Sequence, residues 1–114
     1  MLVPLERDVL EASLSLRSMG VREAHGFLLA RTMSDGSDAR RLTAYGTLYK
    51  ALDRLERAGQ LVSRWEEPEY AADAARPRRR FYRLTTAGEK ALAAARAADP
   101  QTVGRPVTTE GQVT

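Results

Sequence analysis

Apolar positions in the first third of the chain recur every three or four residues. Leu5, Val9, Ala12 and Leu16 form one stripe, Leu10 and Leu14 widen it, and Pro4 stands where a helix accepts proline best, in its first turn. The spacing predicts a helix from about Leu5 to Ser18, stopped by Gly20. A second helix is expected from Arg22 to about Met33, with Ala24, Phe27, Leu28 and the stem of Arg31 facing inward. The polar run at 34–38, Ser-Asp-Gly-Ser-Asp, reads as a loop. Thr43 suits the N-cap of a third helix. Ala44, Leu48, Ala51, Leu52 and Leu55 share one face of it, Lys50, Asp53, Arg54, Glu56 and Arg57 lie away, and Gly59 ends it.

The period then changes from helical to alternating. Leu61 to Glu66 reads as a strand with Leu61, Ser63 and Trp65 on one side. A long loop at 67–79 follows, and Arg80 to Leu84 forms the return strand, with Tyr82 and Leu84 on one face and Phe81 and Arg83 on the other. Thr86 and Glu89 have capping-box spacing, with Thr85 an alternative cap, for a last alanine-rich helix ending near Ala98. The residues from Asp99 onward lack period and apolar mass, so 99–114 is expected to be a disordered tail. The expected order is α-α-α-β-β-α, a mostly helical α+β winged helix-turn-helix over residues 1–84, with a C-terminal dimerisation helix at 85–98.

Composition narrows the setting. The 114 residues suffice for one domain with a modest core. There is no cysteine, which excludes disulfides and cysteine-ligated metal. No apolar run approaches the ~20 residues that span a bilayer, and the N-terminus does not read as a signal peptide, so a cytoplasmic protein without a membrane role is expected. Net charge is only +3, but it is unevenly placed. Residues 1–39 hold four Lys/Arg and six Asp/Glu; residues 40–83 hold eleven and six; residues 84–114 hold three of each. Such a central basic segment fits either a polyanion-binding face or a solvated arginine-rich surface.

A helix-turn-helix inserts the N-terminal part of its second helix into the DNA major groove. Here that part offers Thr43, Tyr45, Thr47, Tyr49 and Lys50, whose hydroxyls and ammonium can meet phosphates or base edges. Arg40 and Arg41 precede it as candidate phosphate ligands. Tyr49 is equally consistent with half-buried packing. Gly46 serves either close backbone approach to DNA or relief of crowding against the second helix. Arg76, Arg78, Arg79 and Arg80, around Pro77, suit backbone phosphates or a narrow minor groove. His25, the only histidine, reads as structural, and Trp65 as a core residue at the wing base. No nucleophile–base pair, glycine-rich phosphate loop or metal-ligand cluster is apparent, so neither an enzyme nor a cofactor is expected. A protein-interaction module docking an acidic partner through the basic wing is the competing reading.

Three segments resemble the PadR-like family of bacterial transcriptional regulators. Residues 24–30, A-H-G-F-L-L-A, are similar to its H-G-Y-x-L segment. Residues 46–61, G-T-L-Y-K-A-L-D-R-L-E-R-A-G-Q-L, resemble its G-T-L-Y-x-x-L-x-x-L-E-x-x-G-L-L signature. Residues 76–88, R-P-R-R-R-F-Y-R-L-T-T-A-G, resemble its R-P-x-R-x-Y-x-L-T-x-x-G wing and exit. The resemblance implies a homodimeric DNA-binding regulator, usually a repressor, paired through its last helix. Some compact members bind flat aromatic drugs between subunits through a tryptophan in that helix. This chain has its only tryptophan in the wing strand, so a small-molecule effector stays unidentified. Ala87, Ala91, Leu92, Ala94, Ala95 and Ala98, with Leu10 and Leu14 of the first helix, are the expected dimer contacts. A two-fold dimer implies an inverted-repeat operator in double-stranded DNA, with half-sites about one turn (~10 bp) or a multiple apart.

Overall fold

A computed structural model of the chain describes residues 2–36 and 45–98. The elements run α1 (Pro4–Ser18), β1 (Ala24–His25), α2 (Gly26–Gly36), α3 (Tyr45–Arg57), β2 (Leu61–Trp65), α4 (Pro68–Asp73), β3 (Arg80–Leu84) and α5 (Thr86–Ala98). The expected tail at 99–114 and the expected cap Thr43 lie outside the described residues, as do Arg40 and Arg41.

Helices α1, α3 and α5 form where the apolar spacing demanded, whereas α2 runs from Gly26 to Gly36, starts later than expected and takes in Ser34, Asp35 and Gly36 of the run expected as a loop. Pro4 opens α1, and the Val3 N–H donates to Glu6 Oε1 at 3.3 Å, satisfying a donor that the first turn cannot. The stripe of α3 buries Leu48, Ala51, Leu52 and Leu55. Gly59 ends this helix with φ +77°, a left-handed turn that costs a residue with a Cβ, and the Gln60 N–H bonds back to the Leu55 carbonyl at 2.9 Å.

Two further elements depart from the sequence expectation. Ala24 and His25, expected in the second helix, instead form β1, paired antiparallel with Tyr82 and Phe81. The pairing partner is more than fifty residues away, so no local pattern announces it. The sheet order is β1-β3-β2, with Leu61 opposite Leu84 and Trp65 opposite Arg80. The loop expected at 67–79 contains α4, opened by Pro68 in its first turn.

One core unites the helices and the sheet. It holds Val9, Leu10, Leu16, Leu29, Leu48, Leu52, Leu55, Leu61, Tyr82, Leu84 and Leu92. That corrects two expected dimer contacts. Leu10 and Leu92 are buried within a single chain and present no surface to a partner. The stripe of α1 is wide enough to meet α2, α3 and α5 together, and this absorbs the leucine expected to be spare. Leu14 packs against the same core but stays partly exposed. Phe27, expected inward, is 51% exposed, while Leu29 takes the interior position.

The start of α5 is held by the loop that ends α3. Thr85, not Thr86, is the cap: its Oγ1 accepts the Gly88 N–H at 3.0 Å and donates to the Gly59 carbonyl at 2.6 Å. The Thr85 N–H donates to the Gln60 carbonyl at 3.2 Å. Further along, Arg17 pairs with Glu89 at 2.9 Å and Arg96 pairs with Glu11, tying α5 to α1. Those arginines hold both carboxyls below the usual carboxylate range.

Candidate nucleic-acid interface

With Leu48, Ala51, Leu52 and Leu55 turned inward, α3 presents Gly46, Thr47, Tyr49, Lys50 and Asp53 to solvent. Tyr45 is the first residue of this helix. Tyr49 is 45% exposed, and its ring end lies over Gly26 at the start of α2. A Cβ at Gly26 would come within 2.7 Å of Tyr49 Cζ and closer to its hydroxyl. Glycine at 26 therefore makes room for the tyrosine, joining the H-G and G-T-L-Y segments in one contact. Packing and exposure thus coexist at Tyr49. At Gly46 a Cβ would meet nothing within 4 Å, so relief of crowding against the neighbouring helix does not account for this glycine.

The wing is joined at its base to the C-terminal half of α3. Ser63 Oγ donates to Glu56 Oε2 of α3 at 2.6 Å, and Arg80 Nε donates to Ser63 Oγ at 3.0 Å. Leu61, Ser63 and Trp65 share a strand face that passes from core to solvent along β2. Leu61 is buried, Ser63 is half-buried, and Trp65 is 50% exposed. Trp65 is therefore not the core residue expected at the wing base. The hairpin outruns the helices beneath it, and its last inward position has no core left to enter. The Arg78 and Arg80 guanidinium carbons lie 5.8 and 5.2 Å from the indole centroid, within cation–π range.

Arg76 departs from the other wing arginines. Its Nη1 and Nη2 donate to Glu66 Oε1 and Oε2 at 2.6 and 2.8 Å, a bidentate pair. Glu66 is buried and also accepts the Arg79 N–H at 3.3 Å. Its carboxyl is pulled down to about 2, first by the Arg76 hydrogen bonds and then by the Arg79 N–H and the charges of both arginines. Burial opposes this shift and loses. Arg76, expected to face DNA, instead clasps the chain across α4. Ala75 turns with φ +55°, and the Arg76 N–H bonds to the Ala71 carbonyl at 3.1 Å. Sequence reasoning missed Glu66 as the partner; an acidic residue ten positions before an arginine, across a proline-led turn, was the available signal. Arg78 is exposed, whereas Arg79 and Arg80 are partly so.

His25 lies where β1 meets β3, stacked on Phe27 at 6.3 Å and edge-on to Phe81 at 6.1 Å. Burial lowers its pKa, and the Arg79 and Arg76 charges lower it further, so the ring is neutral near pH 7.

An exposed helix face beside a basic two-stranded wing defines a winged helix-turn-helix protein. The chain belongs to the PadR-like family of transcriptional regulators, whose family model matches residues 16–94, and it is a DNA-binding regulator of that kind. It is similar in fold to a PadR family transcription regulator from hypervirulent Clostridium difficile R20291. The two are 24% identical with a TM-score of 0.58, over 78% of this chain and 81% of that one. It is also similar to a PadR family transcriptional regulator from Eggerthella lenta DSM 2243, at 24% identity and TM-score 0.53, over 77% and 72% of the two chains. No curated protein matches it in sequence. Among the described residues, no helix is long and apolar enough to cross a membrane.

Proposed function

We propose that the chain acts as a homodimeric repressor that reads an inverted-repeat operator. Thr47, Tyr49 and Lys50 would meet base edges and phosphates in the major groove. Arg78, Arg79 and Arg80 would hold the flanking backbone, together with Arg40, Arg41, Thr43 and Tyr45 at the helix entry. The observation that carries this reading is an exposed α3 face followed by an arginine wing whose base is joined to α3 through Glu56, Ser63 and Arg80.

The homodimer rests on α5. Ala87, Ala94 and Ala98 are exposed, and Ala91 and Ala95 are half-buried. An open groove of about 1060 Å³ is lined by the small residues Ala91, Ala94, Ala95 and Ala98 of α5 together with Leu2, Leu55 and the charged Glu6, Arg7, Asp8, Glu11 and Arg54. Small side chains allow a partner helix to approach closely, and Leu14 of α1 would add apolar area. A two-fold pair would set two α3 helices about one DNA turn (~10 bp) or a multiple apart.

The test is recovery of DNA from fragmented genome by the purified chain, with mass in solution measured by light scattering. A dimer that enriches an inverted repeat, binds it less tightly as Lys50→Ala and loses salt dependence as Arg78→Ala/Arg79→Ala is the expected result. A stable monomer, or both variants binding the recovered fragment like the parent chain, refutes the assignment. Retention of an acidic protein instead of DNA would favour the interaction-module reading.

A further inference from the structure

Trp65 is half-exposed and lies beside two arginines of the wing. We propose that Trp65 is a positioning residue of the DNA interface: its indole, held against Arg80, keeps Arg78 preordered toward a backbone phosphate. The inference rests on the DNA-binding reading above and adds a role for a side chain outside the signature segments.

The geometry supports it at three points. Both guanidinium groups lie against one ring, at 5.8 and 5.2 Å. Each is also anchored through Nε; this leaves the forked end of Arg78 open, whereas Arg80 Nη2 lies 3.6 Å from Glu56 Oε2 and fixes Arg80 in place. Arg78 Nε donates to the Glu66 carbonyl at 2.9 Å, and Arg80 Nε donates to Ser63 Oγ at 3.0 Å. Among the described residues the terminal amino groups of Arg78 have no hydrogen-bond partner, so they keep their donors for a ligand. Finally, the base of the pair is stiff, because Glu66 joins the strand ladder through its N–H to the Arg79 carbonyl at 2.7 Å and is clasped by Arg76.

An arginine loses much rotamer freedom when it docks on a phosphate. Stacking on the indole removes part of that freedom before DNA arrives. The negative ring face also offsets the repulsion between two cations held close together. Free side chains at the same positions would bind the same phosphates more weakly.

The probe is a fluorescently labelled random-sequence duplex, because phosphate contacts do not depend on sequence. Anisotropy is recorded against KCl for Trp65→Leu, Trp65→Phe, Arg78→Ala/Arg80→Ala and the triple variant carrying Trp65→Leu. Trp65→Leu is expected to weaken binding about fivefold to twentyfold, from two lost cation–π contacts. It should also flatten the salt dependence toward that of the double arginine variant, which loses roughly 0.9 of slope per phosphate. Trp65→Phe keeps an aromatic face and should restore most of the affinity. The triple variant should bind no more weakly than the arginine double, because the tryptophan acts only through those arginines. A purely structural Trp65 would lower the melting temperature without changing the slope, and that result overturns the proposal. So does Trp65→Leu binding like the parent while the arginine double is impaired. If the arginine double binds like the parent, the wing is not on DNA and the pair has no target. If the parent chain itself fails to bind any duplex, the DNA-binding reading falls first, and this outcome is distinct from the others. The chain contains one tryptophan, so its emission also reports directly whether DNA covers the wing.

Discussion

Replacing Gly88 with alanine separates two opposed physical effects. Gly88 lies in the first turn of α5, with no positive φ to favour glycine. By helix propensity alone, alanine would stabilise the helix by up to ~1 kcal/mol. Packing argues the other way. A Cβ there would sit 2.7 Å from Leu84 Cδ1 and closer still to the Gln60 carbonyl oxygen. The leucine can rotate, but the carbonyl is backbone and accepts the Thr85 N–H at 3.2 Å. Relief therefore requires α5 to move away from the Gly59–Gln60 turn, which loosens both the Thr85 cap and that hydrogen bond. Overpacking of this kind costs about 1–3 kcal/mol, and a weakened hydrogen bond adds about 0.5–1.5 kcal/mol. After subtracting the propensity gain, the net loss is about 1–3 kcal/mol. For a domain of this size that lowers Tm by roughly 5–20 °C. Thermal unfolding followed by circular dichroism measures it. A variant melting at or above the parent temperature would show that α5 is not seated against this turn, and with it the proposed direction of the dimer helix.

Gly26→Ala should behave differently, because the obstructing atoms end a half-exposed tyrosine. Stability should change by less than about 1 kcal/mol while Tyr49 is displaced. Operator affinity should then fall about twofold to tenfold, as for a lost hydrogen-bonding contact, and Tyr49→Phe offers the comparison in the same titration. The Glu66 carboxylate supplies a pH prediction. Its folded pKa of about 2 lies below the ordinary value of 4.5, so its stabilisation is present above pH ~4.5 and is lost as pH falls toward 2. Between those values Tm should fall with acidity in the parent and less so in Glu66→Gln; identical declines would contradict the clasp. His25 contributes with the opposite charge change. Its lowered pKa means that acidification below about 6.5 protonates the unfolded chain first and costs stability. His25→Gln should remove that decline between neutral and mildly acidic pH.

What the sequence determined by itself is local. The 3.6-residue stripe on α3, the left-handed glycine after it, the alternation along β3 and the proline that opens α1 each follow from a few adjacent residues, and each element appears where those residues direct. The charge asymmetry and the G-T-L-Y signature likewise pointed to the α3–wing surface before any contact was known. Tertiary structure decided what depends on distant partners. Ala24 and His25 form a strand because Tyr82 and Phe81 offer an unpaired edge, and backbone pairing outweighs a weak local helix preference. Leu10 enters the core rather than an interface because three helices converge on one face of α1. Arg76 turns inward because a buried carboxylate needs its charge balanced, whereas Arg78 stays outward against Trp65 and Arg80 bridges Ser63 and Glu56 beside the same ring. In each case a residue type is compatible with two environments, and only the packing of remote segments supplies the partner that chooses between them.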